Sequence, residues 1–89
     1  MNLYHATAIV SRPEKSSDVY RESIIAVAPD EAMLWQMYME TPMPYELREQ
    51  WGGIDLVIEV SDQREIRDLT TPVMKVEPVE MGVVKVERI

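Results

Sequence analysis

Met33-Leu34-Trp35-Gln36-Met37-Tyr38-Met39 sets six large apolar side chains among seven, directly after Pro29-Asp30-Glu31-Ala32. The tetrad reads as a helix start: proline lacks an N–H that would be unpaired in a first turn. Asp30 and Glu31 sit where the helix dipole favours negative charge. The helix is expected to run to about Glu40, because Pro42 and Pro44 cannot continue it. A surface helix buries a stripe roughly 100° wide and leaves the rest polar. The run exceeds that, so its surplus is buried elsewhere in the chain or against a partner.

Advancing 100° per residue from Ala32 groups Trp35, Tyr38 and Met39 with it, and Leu34 at the flank. These residues are expected to cover a sheet. Gln36 and Glu40 mark the wet side, and Met33 and Met37 are left over. Two readings of that pair stand. Tyr45, Leu47 and Trp51 fold back over it as a satellite cluster, or it forms an exposed methionine stripe for a partner or a second copy. Methionine suits adaptable binding surfaces. Four of the seven methionines lie between positions 33 and 43.

Before this helix, Leu3 to Val10 reads as a strand with Tyr4, Ala6, Ala8 and Val10 on one face and His5 and Thr7 on the other. Residues 12–18 are polar, include Pro13 and predict a loop. Val19 to Val27 predicts the returning strand of an antiparallel hairpin. After the helix, Pro44 to Trp51 suggests a short second helix stopped by Gly52-Gly53. Asp55 to Val60 predicts a strand with Leu56, Ile58 and Val60 on one face. Asp62-Gln63-Arg64-Glu65 has capping-box spacing and predicts a short helix to Asp68 or Leu69. Thr71 to Met81, broken by Pro72 and Pro78, reads as an irregular or edge segment, and Val83 to Ile89 as a closing strand. The expected fold is α+β: a mainly antiparallel sheet of about four strands in ββαββ order, with one principal helix on one face.

The 89 residues are expected to form a single domain, 1–89, able to fold alone with little margin. There is no cysteine, which excludes disulfides, thiolate metal sites and cysteine nucleophiles. The first residues lack the pattern of a signal peptide, and no apolar run approaches the ~20 residues of a membrane span. A cytoplasmic protein with both termini native and no membrane partner is expected.

The net charge of −7 argues against direct nucleic-acid binding, which needs lysine and arginine to displace counterions. It allows carboxylates to be offered to a basic partner surface. The charge is spread along the chain, without an acidic block.

Catalytic groupings are missing. His5 is the single histidine, and the serines lie in no nucleophile-elbow context. Three glycines, two of them adjacent, supply no phosphate-cradling loop. No Asp-x-Asp-x-Asp-Gly metal loop occurs. The expectation is a protein that is not an enzyme and uses no cofactor or metal.

The stretch Tyr20 to Ala32 resembles a pattern in many small phage and prophage proteins. In these, a second hairpin strand ends in an alanine-x-acidic-acidic-alanine helix start and a later strand closes the sheet. Several anti-CRISPR proteins share this look, as does the archaeal ribosomal protein LX. The resemblance covers thirteen residues plus the element order. It implies a small inhibitor that occludes a host surface; the acidic balance departs from the RNA-contacting role of LX.

The expected function is therefore a non-enzymatic protein-interaction module, binding another protein through Met33, Met37, Met43, Tyr45 and Trp51, with Glu40 and Glu46 as polar rim. The alternative is a structural homo-oligomer, joined through the methionine-rich helix or a sheet edge such as Val83 to Ile89.

Overall fold

The computed structural model describes residues 1–66 and 80–89 of the chain. The elements are β1 (Asn2–Arg12), β2 (Lys15–Ala28), α1 (Glu31–Met39), α2 (Pro42–Trp51), β3 (Asp55–Glu65) and β4 (Gly82–Arg88). All neighbouring strands are antiparallel, in the order β3-β1-β2-β4, so the first hairpin supplies the two central strands.

The α+β class and the four-stranded antiparallel sheet agree with the expectation. A single principal helix does not: α1 and α2 are of similar length, nine and ten residues. Proline explains the division. It ends α1 by denying it a continuing N–H, yet Pro42 and Pro44 are tolerated in the first turn of α2, where that N–H has no helical partner. Thr41 forms the joint. Its N–H and its Oγ1 both donate to the Tyr38 carbonyl, at 3.0 and 2.6 Å, and its own carbonyl accepts from the Tyr45 N–H at 3.2 Å.

Other boundaries shift for local reasons. The expected 12–18 loop shrinks to Pro13-Glu14, with Glu14 at φ 68°, because both strands extend toward the turn. Pro29 lies outside α1. Asp30 is the cap, and its Oδ1 accepts from the Met33 N–H at 2.8 Å. The expected helix at Asp62–Glu65 is instead the second half of β3, paired with Asn2–His5. An extra residue, Ser61, interrupts the ladder there, and its Oγ donates to the His5 carbonyl at 2.9 Å. The pairing of β4 with β2 shifts in the same way at Val84. The expected segment from Thr71 falls outside the described residues up to position 79, as does the end of the expected short helix.

The core lies on one face of the sheet, beneath both helices. Tyr4, Ala6, Ala8 and Val10 of β1 are buried as the alternation predicts, and Ile24, Ala26 and Ala28 of β2 continue that face. Leu56 of β3 joins them, with Ile58 and Val60 half-buried beside it. The four alanines leave room for Leu34, Tyr38 and Leu47 to reach the strands. Among the described residues neither helix packs on the opposite face, where Leu3, Ile9 and Ile25 are half-buried. No helix among the described residues is long and apolar enough to cross a membrane.

Candidate functional site

The orientation of α1 decides what the molecule shows to its surroundings: of the face expected from the sequence, Tyr38 and Met39 turn toward the core, whereas Ala32 and Trp35 turn away from it. Leu34 and Tyr38 are the buried pair, 1% and 0% exposed, flanked by half-buried Met33 and Met37, which pack on the core. Trp35 points outward at 42% exposure, and Ala32 is exposed. A helix apolar almost all round has no unique inward face by hydrophobicity alone. A polar contact makes the choice: the Tyr38 hydroxyl donates to Glu22 Oε1 at 2.7 Å in the interior. Glu22 reaches that position because it shares the inward parity of Ile24 and Ala26 on β2, directly opposite Ala8 of β1. Burial, then the hydrogen bond and the charge of Glu22, push the Tyr38 phenol far above its ordinary value.

The turned helix creates a groove on the outer side of the α1–α2 pair. It is a concavity of about 530 Å³ lined by Trp35, Gln36, Met39, Glu40, Tyr45 and Arg48. Tyr45 is 52% exposed, so two aromatic rings stand in one depression with charges of both signs beside them. Met39 is half-buried and also packs on the core, so part of the groove is braced from below.

Of the residues singled out by sequence, Glu40 and Tyr45 meet in this groove. Met43 and Glu46 line a different pocket, between α2 and the sheet. Met33 and Met37 lie on the core-facing flank of α1. Trp51 is half-buried at the end of α2, its ring 6.0 Å from that of Tyr20, with the Arg12 guanidinium 6.0 Å from its own centroid. That arrangement ties the end of α2 to the sheet. The sequence reading missed Trp35 by placing it on the sheet side of the helix, missed Arg48, and gave Met39 its core contact but not its place in the groove. It also missed Glu22, whose signal was a carboxylate in phase with the apolar face of a strand.

Scans against protein-family models, curated proteins and solved structures return no match. The chemistry of the described residues therefore carries the functional reading. His5 is exposed on β1, opposite Asp62 and Ile25. Among the described residues no three histidine or acidic side chains come together to hold a metal ion.

Proposed function

We infer that this chain is a non-enzymatic protein-interaction module that occludes a surface of another protein through the α1–α2 groove. The observation that carries the reading is the pairing of exposed Trp35 and Tyr45 in one concavity, with Met39 as its floor. Aromatic residues, methionine and arginine are enriched at binding interfaces. Tryptophan, tyrosine and arginine dominate among residues whose truncation costs most affinity. Glu40, Gln36 and Arg48 supply a polar rim of both signs, suited to a partner that inserts an apolar side chain between polar contacts. Occlusion requires no chemistry from the module. The setting we attach to it, a small phage- or prophage-type inhibitor of a host machine, rests on the resemblance of residues 20–32 alone.

The test is affinity capture from a bacterial lysate with the wild type beside a Trp35→Ala, Tyr45→Ala variant whose fold is checked by circular dichroism. Light scattering on both proteins accompanies it. A protein retained by the wild type and released by the variant, from a chain that stays monomeric at all concentrations, is the expected result. Equal retention by both overturns the assignment of the groove. A wild-type dimer that the same substitutions dissociate replaces it with self-association.

A further inference from the structure

The second concavity, about 350 Å³, lies between the start of α2 and the outer half of the sheet. Glu22 forms its inner end. Only 9% of this residue is exposed, and Oε1 is taken by the Tyr38 hydroxyl. Its second oxygen has no hydrogen-bond or ion-pair partner among the described residues. Yet no fully buried side-chain oxygen is left unbonded. That oxygen therefore keeps its access to solvent, through the pocket that Glu22 lines.

A second carboxylate, Glu46, lines the same pocket from α2. Among the described residues the one cation at its wall is Arg88, the cross-strand neighbour of Glu22. Arg88 is turned aside: its guanidinium lies 4.8 Å from the Tyr20 ring centroid and forms no ion pair with either carboxylate. The remaining walls include Pro42, Met43 and Val86, all apolar. Glu22 is largely withdrawn from water but opens one oxygen to the pocket, so a cation entering there meets a carboxylate otherwise held only by a neutral hydroxyl.

We propose that this pocket binds a single alkylammonium group, its hydrocarbon stem along Met43 and Val86 and its ammonium between Glu22 and Glu46. Lysine-type groups divide themselves in this way between apolar and polar surroundings. A bare divalent cation fits less well, because calcium takes six to eight oxygen ligands and the pocket offers two carboxylates and a hydroxyl already bonded to a carbonyl. The volume lies near the lower end of the range for ligand pockets, about 300–1,000 Å³, which suits one side chain or a small amine. The net charge of −7 draws such a cation toward the protein. Both a lysine of a partner protein and a free polyamine carry this chemistry. The inference is independent of the groove, since no residue is shared between the two concavities.

The test is titration of the ¹⁵N-labelled full chain with n-butylammonium at constant ionic strength, followed by amide chemical shifts, with n-butanol as the uncharged control. Saturable shifts at Glu22, Met43 and Val86 with the ammonium, and at least about fivefold weaker binding of the alcohol, are expected. Glu22→Gln keeps an oxygen for Tyr38 and should weaken the ammonium about tenfold or more. Glu46→Gln alters an exposed side chain and should weaken it about two- to fivefold, which keeps the test decisive if Glu22→Gln does not fold. Trp35→Ala should change nothing. No saturable shift, equal binding of butanol, or indifference to Glu46→Gln overturns the proposal. Tighter binding of Nα-acetyl-lysine amide, whose side-chain ammonium is free, than of spermidine supports it with a partner lysine as the source; the reverse order supports it with a free polyamine.

Discussion

Tyr38 and Glu22, sixteen residues apart, are joined inside the protein by a 2.7 Å hydrogen bond that fastens α1 to the second central strand. Removing the hydroxyl strands a buried carboxylate oxygen. Tyr38→Phe is expected to cost about 1.5–3 kcal/mol, in the range for hydrogen bonds to charged groups. Urea unfolding measures it. In a double-mutant cycle with Glu22→Gln, the two losses should fall short of additivity, because both substitutions act on one contact.

The same contact sets an alkaline limit on stability. The Tyr38 phenol is held above its ordinary value, first by burial and then by the hydrogen bond and charge of Glu22. Its contribution is complete below pH ~10, where a tyrosine in the unfolded chain is still protonated. Above that, the unfolded chain loses the proton and the folded chain keeps it, so stability falls with rising pH by up to ~1.4 kcal/mol per unit. Thermal unfolding between pH 9 and 11 should show this decline, and Tyr38→Phe should flatten it. An unchanged slope in that variant would remove Tyr38 as its source.

Leu34 and Trp35 are adjacent in sequence and opposite in role. Leu34→Ala should cost about 2–5 kcal/mol, as for other buried leucines. Trp35→Ala, at an exposed position, should cost under about 1 kcal/mol. Equilibrium unfolding of the two variants side by side checks the orientation of α1, and a reversed order would restore the face read from the sequence.

The two helices are closed by different devices. Asp30→Ala removes the side-chain acceptor for the Met33 N–H and should cost about 0.5–2 kcal/mol, most of it recovered in Asp30→Ser. Gly52 ends α2 at φ 70°, with nothing within 4 Å of where a Cβ would sit. Gly52→Ala should therefore lose about 1 kcal/mol through left-handed backbone strain alone. Melting temperatures of both variants report these losses.

The first strand was legible because period-2 alternation persists from Tyr4 to Val10, and only one register buries that set. The face of α1 was not legible. Leu34 with Tyr38 and Ala32 with Trp35 are rival pairs, each at a helical spacing of three or four residues, and apolar surface alone does not rank them. The ranking came from Glu22, a contact sixteen residues away in sequence. The second half of β3 was hidden for a related reason. Asp62 to Glu65 are all exposed, so no apolar alternation marked them, and their capping-box spacing satisfied a helical reading equally well. Of the candidate contacts, Tyr45 on the exposed side of α2 and Glu40 at the end of α1 stand in the groove; Met33 and Met37 moved inward with the rotation of α1.

Ser61 and Val84, each an extra residue in its ladder, fall in the two outermost strands of the sheet. Each outer strand is thereby cut into short lengths. The longest runs from Asp55 to Val60, six residues with acids at 55 and 59. A stray extended peptide adding to either border would keep step for no more than about 20 Å at the usual strand rise. Fibril-forming segments of six or seven residues are low in charge, and this one is not. Among the described residues the sheet thus has two borders, each too short or too charged to act as a long template for an added strand.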